Sequence, residues 1–184
     1  MNKVTKVTFD TNIFPINDLI VLMDKKPVEY STTSVTMREM ENCGLFSQMK
    51  VNDVIKENGI YGESRYGSCK YGSTIIETAV VEESLIGSCV VGTNTEVDVL
   101  ETLLIIISSN TFPKAGSRNN LTLGFRHHLR DAMILTAHIR EKRDIFITND
   151  EKGFIKNGKR EKIENIFKTK IMTRDEFKLF LNDK

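Results

Sequence analysis

The sequence predicts an α/β fold built on a parallel sheet. Three observations carry that expectation. Residues 3–9 are β-branched and aromatic, and an apolar-periodic, helix-like segment follows them. The same alternation repeats at residues 28–33 and 34–43, and it returns after residue 95. Strands joined by helices at this spacing form right-handed βαβ crossovers, which leave the strands parallel.

The elements follow in order. The first strand, 3–9, ends at Asp10-Thr11-Asn12. Residues 13–23 read as a short helix, with Pro15 tolerated in its first turn. Lys25-Lys26-Pro27 breaks the chain before the second strand, 28–33. Residues 34–43 read as a helix stopped near Gly44. The middle departs from this rhythm: Gly59, Tyr61, Gly62, Tyr66 and Gly67 precede β-branched runs at 73–81 and 85–91. Residues 59–92 therefore read as a β-hairpin or arm. A helix with a broad apolar face is expected at 96–108, then a loop at 110–120 with Pro113 and Gly116. Residues 121–142 form a long helix; 132–139 are apolar nearly all round, which places them centrally. A strand at 144–148, a loop and short helix over 151–167, and a strand at 170–172 follow. A closing helix spans 173–181, with Thr173 as N-cap and Glu176 in capping-box position.

The chain has 184 residues, 40% of them hydrophobic and 28% charged, and fits one domain with the arm inserted. A net charge of +1 argues against holding nucleic acid by bulk electrostatics alone. The three cysteines, Cys43, Cys69 and Cys89, make no CxxC pair, which points away from a disulfide scaffold or a thiolate zinc site. The apolar stretch 103–107 is far shorter than the ~20 residues of a membrane helix. Met1-Asn2-Lys3 leads into no apolar signal region. A cytoplasmic protein with no membrane partner is the expectation.

The functional signal lies in the carboxylates. Asp10 and Asp150 each follow a strand, at the edge where ligands bind in open parallel sheets. Glu39 sits early in the helix after strand two, at the same edge. Asp131 opens the most apolar stretch of the chain, where an ionised carboxylate needs a cation or donors. Four hard oxygen ligands without a matched His or Cys favour Mg²⁺ or Mn²⁺ over zinc. Such a site can activate water, clamp a phosphate and stabilise charge on its oxygens. Each residue also has a simpler reading. Asp10 could cap the following turn, and Glu39 could close a capping box with Thr36. Asp131 could pair with Arg130, His127 or His128, and Asp150 could form a plain turn.

Four segments carry a resemblance: Phe9-Asp10-Thr11-Asn12, Val35-Thr36-Met37-Arg38-Glu39, Arg130-Asp131-Ala132 and Ile147-Thr148-Asn149-Asp150. In order and setting they resemble the four motifs of PIN-domain ribonucleases, over about residues 3–58 and 96–182. The resemblance implies a three-layer α/β/α sandwich around a mostly parallel sheet. It implies an Mg²⁺- or Mn²⁺-dependent ribonuclease in which Asp10, Glu39, Asp131 and Asp150 are the catalytic, metal-binding cluster. Thr11, Asn12, Thr148 and Asn149 would orient that cluster. Many stand-alone members resemble toxins of VapC-type toxin–antitoxin pairs, which implies a small antitoxin protein as partner beside the RNA substrate. The arm sets this chain apart from the shorter toxins, and it reads as an element that covers the core or builds a homodimer.

Lys114, Arg118, Arg126 and Arg130 lead into Asp131, and Lys152, Lys156, Lys159 and Arg160 follow Asp150. Arg118, Arg126, Arg130 and Lys152 are expected to contact the RNA backbone, with a solvated charged face as the simpler reading. Two other functions remain open. One is a catalytically inactive PIN-like module that binds RNA or protein. The other is a haloacid-dehalogenase-like phosphatase, which wants an Asp where this chain has Asn12.

Overall fold

The computed structural model describes residues 3–33, 35–36, 39–40, 94–114, 117–118 and 120–183. The expected arm at 59–92, all three cysteines and most of the 34–43 helix lie outside these residues. Four strands make one sheet: β1 (Thr5–Phe9), β2 (Val28–Ser31), β3 (Ile145–Ile147) and β4 (Lys170–Met172). Their order is β2-β1-β3-β4, and every pair is parallel. The α/β class and the parallel sheet are therefore as expected.

Strand alternation divides the core in two. Val7, Phe9, Ile145, Ile147 and Met172 pack with Leu19 and Met23 of α1 (Asn17–Met23). Phe177 and Leu181 of α5 (Arg174–Asn182) complete that cluster. Phe146 and Ile171 belong to the second cluster, with α2 (Asn94–Ile107), α3 (Leu123–Arg140) and α4 (Lys159–Phe167). Helices thus cover both faces of the sheet. Each large apolar side chain fully buried here contributes roughly 1.5–3 kcal/mol.

Several boundaries differ from expectation for local reasons. The first helix is shorter than 13–23. Phe14 is extended (φ −71°, ψ 144°), as the residue before a proline prefers. A 3₁₀ turn, Thr11–Ile13, precedes Pro15, and α1 starts only at Asn17. Arg174 ties this turn to α5 by donating to the Ile13 and Pro15 carbonyls and pairing with Asp18. Within 151–167, expected to hold a loop and a short helix, a single π-helical turn, Glu151–Ile155, precedes α4. The capping box of the last helix is as expected: Thr173 Oγ1 accepts from Glu176 N, and Glu176 Oε2 accepts from Thr173 N. From Ala132 through His138, α3 is buried, as its all-round apolar character requires.

His138 stitches the layers. Its ring meets Thr8 Oγ1 through Nδ1 at 2.8 Å and Thr169 Oγ1 through Nε2 at 2.5 Å. Burial, with Arg143 adding to it, pushes the imidazole pKa down to about 3 from 6.5. The unfolded chain therefore takes up a proton below pH 6.5 that the native ring refuses. The contribution of His138 is complete above that pH and is lost as pH falls towards about 3. We expect about 2 kcal/mol of it to be gone at pH 5. Urea unfolding of wild type and His138→Gln at pH 7 and pH 5 reads this as a difference in pH slope. Equal slopes would place the proton uptake elsewhere.

Candidate functional site

The site grows from the register of the two central strands. Phe9 pairs with Ile147, so Asp10 and Thr148 leave the sheet side by side. The Asp10 N–H donates to the Ile147 carbonyl at 3.0 Å, carrying the pairing one residue further. Asp10 is 4% exposed, and both its oxygens are engaged. Oδ1 accepts from Thr11 N at 2.7 Å; Oδ2 accepts from Thr148 Oγ1 at 2.7 Å and Asn12 Nδ2 at 2.9 Å. Burial raises its pKa to about 6. The Thr148 and Thr11 hydrogen bonds restrain the rise, and the charges of Glu39 and Asp150 add to it.

The polar residues beside Asp10 form a lattice. Thr148 Oγ1 accepts from Asn12 Nδ2 at 3.2 Å and from Asp150 N at 3.0 Å. Asn12 Oδ1 accepts from Asn149 N at 2.8 Å, and Asn149 Oδ1 accepts from Arg174 N at 3.1 Å. The Thr11 hydroxyl donates to Glu39 Oε2. Thr11, Asn12, Thr148 and Asn149 thus form one network that holds Asp10, Glu39 and the Asp150 backbone.

The other carboxylates face the same edge. Asp150 caps the Glu151–Ile155 turn, its Oδ1 accepting from Lys152 N and Gly153 N, each at 3.0 Å. A Cβ on Gly153 would lie 2.3 Å from Asp150 Oδ2 and 3.6 Å from Asp131 Oδ2, so both carboxylates border that α-carbon. Asp131 is held well above the usual carboxylate range, by burial first and then by Asp10, Asp150 and Glu39. Arg130 offsets this only in part. Glu39 lies 3.9 Å from the Arg130 guanidinium. The simpler readings fare unevenly. Asp10 does cap its turn, as well as facing the other acids. Thr36 N is bonded to Thr33 Oγ1 at 3.2 Å, and Glu39 takes the Thr11 hydroxyl.

The four carboxylates come from four separate segments, and the charges of Glu39 and Asp150 raise the proton affinity of both Asp10 and Asp131. Their oxygen-only chemistry suits a hard divalent cation, and the space a Gly153 side chain would fill lies against two of them. Among the described residues, no three His, Cys, Asp or Glu side chains close tightly enough, as placed, to hold one ion.

The basic residues divide. Arg118, expected to contact RNA, is turned inward. It is 5% exposed, bonded to both oxygens of Glu101 at 2.7 Å and to the Pro113 carbonyl at 3.0 Å, and stacked over Phe112. Its fork anchors the loop after α2. Lys159, in the basic group that follows Asp150, is also buried. Arg126 and Arg130 are half-buried, and Lys152 is exposed. Arg118→Ala is expected to cost about 1–3 kcal/mol in urea melts, with RNA affinity of the folded protein unchanged. Lys152→Ala should do the reverse, weakening binding and flattening its salt dependence at unchanged stability. A fully stable Arg118→Ala protein with a flatter salt slope would return Arg118 to the interface.

No family model, curated protein or solved structure matches this chain. Among the described residues, no helix is long and apolar enough to cross a membrane.

Proposed function

We propose that this protein is a metal-dependent endoribonuclease with a PIN-like fold. One observation carries the reading: Asp10, Glu39, Asp131 and Asp150 converge from four segments at the carboxyl edge of the central strands, electrostatically coupled. Carboxylates gathered at a mutual cost usually serve a cation or a proton transfer. Asp10, Asp131 and Asp150, with Glu39, would hold Mg²⁺ or Mn²⁺. Bound there, such an ion supplies Lewis acidity toward a phosphodiester and lowers the pKa of water.

The chain's own residues do the rest. Thr148 and Asn12 fix the Asp10 carboxylate, and Thr11 fixes that of Glu39. Such supporting bonds hold ligand oxygens in one orientation. Lys152, Arg126 and Arg130 supply positive charge for the RNA backbone. Water would add to phosphorus opposite the 3′ oxygen, which departs, leaving a 5′-phosphate and a 3′-hydroxyl. The role that fits this reading is the toxin of a toxin–antitoxin pair, a cytoplasmic homodimer restrained by a small antitoxin protein. A phosphatase of the haloacid-dehalogenase type is disfavoured. The position for its acid is Asn12, whose side chain is tied to Asp10, Thr148 and Asn149.

The test is incubation with total RNA, tRNA and rRNA, in Mn²⁺ or in EDTA, beside Asp10→Asn. Cleavage in Mn²⁺ that EDTA and the substitution both abolish supports the proposal. RNA left intact under every condition leaves the inactive binding module.

A further inference from the structure

Lys159 opens α4, yet its side chain turns inward and is 8% exposed. A lysine ammonium leaves water only where acceptors replace its hydration. Two carbonyls do so here. Nζ donates to the Ile107 carbonyl at the end of α2 at 2.5 Å, and to the Lys152 carbonyl at 2.6 Å. The second contact bears on the acidic site. Lys152 C=O and Gly153 N–H belong to one planar peptide unit. That unit's N–H donates to Asp150 Oδ1 at 3.0 Å. The ammonium thus grips the carbonyl of the same peptide whose N–H holds the carboxylate. It also polarises that peptide, which strengthens the N–H as a donor.

We propose that Lys159 is a positioning residue of the acidic site, fixing Asp150 through the Lys152–Gly153 peptide and so setting the site's affinity for a divalent cation. The affinity part rests on the metal-site reading above; the grip on the peptide does not. The electrostatics agree with the geometry. Burial pulls the Lys159 pKa down, while Asp150 and Asp131 favour the charged form. Lys159 also joins the end of α2 to the turn that Asp150 caps, so the carboxylate's orientation is referred to a rigid helix.

The test compares wild type with Lys159→Met, which keeps the stem and removes the donors. Lys162→Met, an exposed position on the same helix, is the control. Two readouts are taken: the Gly153 amide in metal-free ¹H–¹⁵N spectra, and the Mn²⁺ dissociation constant. In Lys159→Met the Gly153 amide should shift and exchange faster with solvent. The Mn²⁺ constant should rise roughly 10–100-fold, as for other supports of ligand residues. Lys162→Met should change neither. Lys159→Gln, which can keep one hydrogen bond, should fall between, and it carries both readouts if the Met variant does not fold. An unmoved Gly153 amide overturns the grip. An unchanged Mn²⁺ constant overturns the link to affinity. A wild type that binds no Mn²⁺ overturns the metal reading, and the Gly153 amide still decides the grip.

Discussion

Asp131→Asn is expected to stabilise the metal-free protein while abolishing cleavage. Burial and the charges of Asp10, Asp150 and Glu39 hold the proton affinity of Asp131 well above the usual range. Its carboxylate accepts no hydrogen bond among the described residues, so a neutral isostere removes repulsion and leaves the lattice around Asp10 untouched. The gain should be about 0.5–2 kcal/mol at pH 7, typical of relieving such strain at a functional site. Its pH dependence has a fixed sign. The native Asp131 binds its proton more tightly than the unfolded chain does. Wild-type stability therefore falls as pH rises from the ordinary carboxylate range through the raised native pKa. The variant lacks that loss, so the gap opens with rising pH. Metal should reverse the order: wild type should gain about 2.7 kcal/mol at 100-fold excess over its dissociation constant, and the variant little. Melts in EDTA and in Mn²⁺ read both signs, and cleavage should drop by more than about 100-fold. A variant less stable than wild type in EDTA would show that Asp131 is held by attraction rather than repulsion.

Gly153→Ala should damage the site by geometry alone. The backbone at Gly153 is outside the left-handed region, so the conformation itself admits alanine. The new methyl would lie 2.3 Å from Asp150 Oδ2, far inside contact distance. Asp150 cannot simply turn aside, because its Oδ1 is held by the N–H groups of Lys152 and Gly153. Either the carboxylate leaves those donors or the turn shifts away from Asp131. We expect a stability loss of about 1–3 kcal/mol, as for other overpacked sites. Cleavage should fall at least roughly 10–100-fold, the cost of disturbing a ligand's support. The check is the activity of Gly153→Ala at a temperature where circular dichroism shows it folded. Wild-type activity in that protein would mean that the Asp150 orientation is not needed.

Local chemistry made much of this architecture legible. The β-branched runs at 3–9 and 28–33 announce β1 and β2, and Thr173 with Glu176 announces the start of α5. The acids at strand ends were readable because parallel topology sends every strand's carboxyl end to one edge. What stayed hidden depends on partners distant in sequence. Arg118 looks like any loop arginine until Glu101 folds beside it. The helical pattern at 13–23 concealed the extended Phe14 and the separate turn that Asp10 caps. Lys159 left one usable sign: a cation in the first turn of a helix opposes the helix dipole, unless its side chain serves elsewhere. Gly153 reads as an ordinary loop glycine, and only the approach of two carboxylates gives it meaning.

The central claim is that carboxylates from separate segments form one cation site. It is tested most directly by soaking crystals in Mn²⁺ and recording anomalous diffraction at the manganese edge. A peak should appear bounded by Asp10, Asp131 and Asp150 and be lost in Asp131→Asn crystals. A peak elsewhere on the protein, or none at saturating Mn²⁺, would contradict it.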